Sequence, residues 1–215
     1  MAMKRLLGMV APVVFLASGL CAQVNEASLT VGRTFVSTQT VLNPPTLSFN
    51  PPLHFGNDVT IAFNYGRLLR THGIFGIRAE LPVAFIPRMN LQTAYNGIPR
   101  DYSALFVTPA VRVNFFSRDN FTPWASIGGG YGRFSYSDRL MFYDTSQGPG
   151  SSSTGILQFG GGLDSWVFEN WGARLEFRDF YTGAPNLNGV SGVNITTNKT
   201  RQHNYYVGLG ILYHF

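Results

Sequence analysis

The chain has 215 residues, a formal net charge of +5 and one cysteine, Cys21. Its basic residues are scattered singly among acids, which argues against nucleic acid as a partner, because that recognition needs cations clustered on one face. Beyond residue 22 no apolar run approaches the roughly 18 residues of a membrane-spanning helix, so helical spans are excluded.

Residues 1–22 begin with Lys4 and Arg5, continue with an apolar stretch from Leu6 to Ala17 and end on small residues at Ala22. A basic start, a short apolar core and a small-residue exit describe a secretory signal peptide. Cleavage is expected after Ala22, leaving 23–215 as one domain of about 190 residues. Leu20, immediately before Cys21, fits a lipid-attachment box poorly, so Cys21 is read as part of the discarded segment. The remainder has no cysteine for a disulfide, and its charge falls by Lys4 and Arg5 to 5 − 2 = +3. Its stability must come from hydrogen-bonded sheet.

Eight alternating or β-rich segments follow, near 27–36, 57–68, 74–86, 103–116, 122–136, 155–168, 171–181 and 203–215. Their connections alternate in kind. Long ones lie at 37–56, 87–102, 137–154 and 182–202; short ones run from Leu69 to Gly73, Ser117 to Phe121 and Glu169 to Asn170. The long connections carry loop residues: Pro44, Pro45, Pro51 and Pro52 in the first, a Gly/Ser run at 148–155 in the third, and several asparagines in the fourth. This alternation predicts an all-β fold, an eight-stranded antiparallel up-and-down transmembrane β-barrel with turns at the periplasmic end and loops outside.

Side-chain parity separates two faces, because successive residues of a strand point to opposite sides of the sheet. In the third segment Phe75, Ile77, Ala79, Leu81, Val83 and Phe85 oppose Gly76, Arg78 and Glu80. In the fourth, Leu105, Val107, Val111, Val113 and Phe115 oppose Thr108, Arg112 and Asn114. In the seventh, Trp171, Ala173, Leu175 and Phe177 oppose Gly172, Arg174, Glu176 and Arg178. Charge facing hydrocarbon is costly, so the lumen is expected to hold Arg78, Glu80, Arg112, Asp164, Arg174, Glu176 and Arg178. Eight strands leave a lumen that side chains can fill, so these groups are read as a salt-bridged plug rather than a selectivity ring.

Some residues break the pattern. Arg33 shares parity with Leu29 and Val31, and Arg133 with Ile127; the rim suits Arg133, where arginine can snorkel, while Arg33 stays open between rim and bulge. Pro82 and Pro109 predict bulges or strand ends. Phe115, Phe121, Trp124, Phe168, Trp171, Tyr213 and Phe215 flank the short turns, and Tyr65, Phe85, Tyr102, Tyr131, Tyr181 and Tyr205 flank the loops, as two aromatic belts would. Gly128, Gly129, Gly130 and Gly132, with Gly160 to Gly162, are read as room for close approach inside a narrow barrel, since no helix follows to make a dinucleotide site. His54, His72, His203 and His214 lack metal-ligand spacing. No metal or cofactor is expected.

The signal segment, the amphipathic strands, the GGGYG at 128–132 and the ending Tyr213-His214-Phe215 resemble the small bacterial outer-membrane β-barrels of the outer membrane protein A and X type. The resemblance implies residence in the outer membrane among its lipid and lipopolysaccharide, and the barrel is expected to be a monomer. It also implies that the barrel-assembly machinery reads the terminal aromatic strand, here Tyr213 and Phe215. Some relatives modify lipid A through a histidine and serine close together on a late strand. Here Asn204 follows His203, and Ser165 is the only serine well inside a late strand, so the chain is not read as an enzyme. The role expected is structural or surface-loop binding; a narrow channel for ions or small solutes comes next, and a lipid A modifying enzyme third.

Overall fold

A computed structural model describes residues 25–116, 120–142, 145–190 and 194–215. The proposed signal segment at 1–22 and residues 117–119 of one short turn lie outside the described residues. The strands, in chain order, are β1 (Asn25–Val36), β2 (Gln39–Leu42), β3 (Pro52–Phe55), β4 (Asp58–His72), β5 (Phe75–Gln92), β6 (Asp101–Val107), β7 (Ala110–Phe115), β8 (Phe121–Tyr136), β9 (Ser151–Trp166), β10 (Trp171–Gly183), β11 (Thr196–Thr197) and β12 (Arg201–His214).

Counting β6 and β7 as one stave, the antiparallel neighbours β1, β4, β5, β6/β7, β8, β9, β10 and β12 form a ring of eight, as the alternation predicts. The ring is closed: Leu29 of β1 sits opposite Phe63 on one side and Ile211 on the other. At the seam Asn25 N–H donates to Phe215 O at 2.9 Å and Phe215 N–H donates to Asn25 O at 3.0 Å. Among the described residues every stave of the ring has a paired neighbour on both sides, the condition for a strand structure to sit in hydrocarbon.

The wall is greasy outside. Leu29, Ile61, Phe63, Val111, Ile127, Phe159, Leu175, Leu209 and Ile211 all remain exposed, Leu209 at 64%. An apolar surface this continuous is a lipid-facing surface, far beyond the patches that water-soluble proteins leave open.

Irregularities fall where the chemistry requires them. Pro109 has no N–H, so the stave is interrupted at Thr108 and Pro109, yet Val83 opposite Val107 and Glu80 opposite Ala110 show that register is kept. The strand ends there without a bulge. True bulges occur between Leu68 and Arg70 and between Ile86 and Met89, beside Pro87. Gly73 makes the β4–β5 turn at φ 59°, a left-handed conformation that suits glycine.

The loops are more ordered than their composition predicts. β2 pairs with β3, β3 pairs with β5 through His54 and Phe55, and β11 pairs with β2. The proline-rich first loop therefore folds back as an extension of the wall.

Candidate functional site

The lumen has two tiers. In the tier nearer the short turns, Arg78, Arg112, Arg174 and Arg178 face Glu26, Glu80, Asp164 and Glu176, all buried, and the formal charges cancel as 4 − 4 = 0. Alternation puts these groups there: each lies on the even-numbered row of its strand, opposite the lipid-facing row. Arg174 grips Asp164 with both arms, Nε to Oδ1 at 2.7 Å and Nη2 to Oδ2 at 2.8 Å. Arg178 donates to Glu80 Oε1 and to Glu176 Oε2, each at 2.9 Å.

Glu26 is the hub. It accepts from Arg112 Nη2 at very short range and from Arg174 Nη2 at 2.9 Å, and it pairs with Arg78 Nη1 at 3.1 Å. His214 Nε2 lies 3.4 Å from its other oxygen. Sequence reasoning missed Glu26 because the first strand was begun at Ala27. The signal was present: Glu26, Ser28, Thr30 and Thr34 form one buried polar row. Hydroxyls complete the tier, with Thr30 donating to Glu176 Oε1 at 2.5 Å and Tyr206 donating to Thr30 at 2.8 Å.

Trp124 corrects the belt expectation. It is 3% exposed, inside the lumen, with the guanidinium carbons of Arg112, Arg174 and Arg178 between 5.1 and 5.4 Å from the centre of its ring. Its indole N–H donates to Asp164 Oδ1 at 3.1 Å. The negative ring face and the carboxylates together offset the crowding of cations. Space for the indole comes from Gly162, directly opposite in register, where a Cβ would lie 2.6 Å from the ring. Tyr102 is a second correction: it is 1% exposed and belongs to the lumen.

The tier nearer the loops joins an aromatic cluster, which the sequence reading did not anticipate, to a buried amide network in which Gln39 Nε2 donates to Gln202 Oε1 at 3.0 Å and Gln202 Nε2 donates to Asn204 Oδ1 at 3.1 Å. Phe106 packs edge-on against Phe134 at 5.8 Å and lies 5.2 Å from Phe180, while Tyr102 meets Phe134 at 5.5 Å. Ile86, Met89 and Ile156 fill the same cluster, and Val41, Leu53, Ile98 and Leu187 descend into it from the loops. Above them the loops bond to one another. Gly189 N–H donates to Gly97 O at 2.9 Å, Gln147 N–H to Gly189 O at 2.8 Å, Arg100 N–H to Arg139 O at 2.9 Å and Asn198 N–H to Thr40 O at 3.0 Å. These bonds knit the loops into a cap.

The remaining singled-out residues lie on the wall. Arg33 points outward and donates to Asn57 O at 3.4 Å, reaching toward the loop end. Arg133 is also outward, 3.5 Å from Ser151 Oγ near the end of β8. Tyr213 and Phe215 stack at 6.0 Å beside Trp171 at the short-turn end. His203 pairs with Asp179 at 2.7 Å near the loop end, whereas Ser165 lies level with Ala173. His203 is level with Tyr181, so the eight steps along β10 between those levels put Ser165 about 26 Å away.

Neither a scan of protein-family models nor a search of curated proteins gave a match. Solved structures do share this architecture. The outer membrane protein OprG from Pseudomonas aeruginosa aligns with a TM-score of 0.56 at 12% identity, covering 90% of this chain and 95% of that one. The outer membrane protein AlkL, solved in DMPC lipid bilayers, aligns with a TM-score of 0.55 at 16% identity, covering 93% of each chain. The chain has the fold of the small outer-membrane β-barrels. At such identity the likeness concerns the fold alone, and one barrel can host many roles.

Proposed function

We propose that this chain is a non-conducting outer-membrane barrel that presents a knitted loop cap at the cell surface, where it serves a structural or ligand-binding role. One observation carries the reading: the lumen is filled twice, by a charge-neutral ionic tier and by a tier of packed aromatic and hydrogen-bonded amide side chains into which loop residues reach. A hydrated ion would have to displace paired guanidiniums and then cross a packed, buried aromatic cluster, each step desolvating charge. The apolar belt supports membrane residence. Loops facing outward and turns facing the periplasm follow from the usual asymmetry of such barrels.

In this reading residues 1–22 direct export, Tyr213 and Phe215 at the end of β12 form the signal for the assembly machinery, and the mature chain works as a monomer without cofactor or catalysis. Planar-bilayer recording of purified, folded protein tests the central claim. A stable absence of discrete conductance steps is the expected result, and regular steps at modest voltage would replace the reading with the narrow channel.

A further inference from the structure

The wall is not uniform around its rim. The β9–β10 ladder ends at Ile156 opposite Thr182, but β9 stays paired with β8 as far as Ser151, and β10 stays paired with β12 as far as Gly183 and Arg201. Two arms therefore diverge above that last pair and leave a notch of about 470 Å³ that opens through the side of the barrel. Gly183 N–H donates across it to Thr154 Oγ1 at 3.0 Å.

The notch lies where the outer face changes character. Below it the outward residues are Leu157 and Phe159; above it they are Gly155 and Ser153. That transition is the level of lipid headgroups. Gly155 leaves the floor open, since a Cβ there would meet nothing within 4 Å. Arg201 stands at the edge, exposed, with its guanidinium carbon 5.6 Å from the centre of the Tyr181 ring. It has no carboxylate partner among the described residues.

We propose that this notch binds the phosphate of an outer-leaflet lipid. Arg201 holds the phosphate through charge-assisted hydrogen bonds, the Thr200 hydroxyl adds a donor, and Leu157 with the Tyr181 ring supports the first methylenes of the acyl chains. A planar guanidinium braced on an aromatic ring suits a phosphate, because its fork matches the oxygens and its position is already restricted. The inference rests on the membrane orientation proposed above.

The test is native mass spectrometry of the full chain, folded in detergent and offered lipid A with its phosphates, the dephosphorylated lipid, or inorganic phosphate alone. The expected result is retention of the phosphorylated lipid, weakened roughly tenfold by Arg201→Gln or by Gly155→Phe, with Arg33→Gln unchanged. Equal retention of phosphorylated and dephosphorylated lipid overturns the site. So does equal weakening by Arg201→Gln and Arg33→Gln, which would mean diffuse rim charge, or binding of inorganic phosphate without the lipid. Each variant is first checked for the faster gel migration of an unboiled, folded barrel. A wild-type chain without that shift overturns the membrane reading and the site with it; a normal shift with unaltered lipid retention overturns the site alone.

Discussion

Arg174 and Asp164 face each other as register partners across the β9–β10 ladder, and their paired hydrogen bonds of 2.7 and 2.8 Å close a planar fork inside the barrel. The fork leaves Arg174 Nη1 for Ser28 Oγ and lets Nη2 bridge to Glu26, so one guanidinium ties β9, β10 and β1 together across the lumen. The network thus acts as a set of struts between staves.

Removing the hub should cost most. Glu26→Gln leaves Arg78, Arg112 and Arg174 without a shared counter-charge in a buried site, and breaking a buried pair of this kind costs roughly 3 to 5 kcal/mol. Asp101→Asn removes the partner of Arg88, whose side chain is 57% exposed, and should change stability by less than about 1 kcal/mol. Urea unfolding in detergent, followed by the gel shift, separates the two; similar midpoints would show that the struts carry little stability.

The position of Trp124 gives a second measurement. In variants keeping one tryptophan at a time, brominated lipid tails should quench Trp171, which is 48% exposed on the outer wall, and leave Trp124 bright. Strong quenching of Trp124 would place its face of β8 against lipid. That result would undo the description of the lumen.

The eight staves were legible because the strands facing lipid carry one greasy row, and charge on the other row marks the inside. Where both rows are apolar the signal vanishes. The tier of Ile86, Phe106, Phe134 and Phe180 was therefore invisible to parity, and the bulge at Pro87 hid Met89 by shifting its phase. Trp124 was misread by neighbourhood: it lies near a short turn, as belt residues do, but its parity with Thr122 and Ser126 points inward. The pairing of β2 with β3 was unreadable because Pro51 and Pro52 signal a loop, yet Pro52 is the first residue of β3, a position that tolerates the missing donor where a strand interior does not.

Conductance should require opening both tiers. Phe106→Ala with Phe134→Ala removes the upper aromatic contacts but leaves the ionic tier, and Glu26→Ala with Trp124→Ala does the reverse. Each pair alone should stay silent in a planar bilayer, while the fourfold variant, if folded by gel shift, should show discrete steps. Conduction by either pair alone would assign closure to a single tier.

Two lumen glycines on β9 should differ in their response to a methyl group, although both are tightly surrounded. At Gly162 a Cβ would lie 2.3 Å from the backbone oxygen of Leu175 and 2.6 Å from the Trp124 ring, neither of which can yield without moving a strand or a wedged indole. At Gly160 the nearest atoms are side-chain ends, Ser126 Oγ at 2.6 Å and Gln158 Nε2 at 2.7 Å, which can rotate away. Overpacking costs about 1 to 3 kcal/mol where neighbours are rigid, so Gly162→Ala should lie at the upper end and Gly160→Ala at or below the lower. Trp124→Phe should rescue Gly162→Ala only in part, because the Leu175 carbonyl remains; complete rescue would show that the β9–β10 ladder flexes more freely than its unbroken register implies.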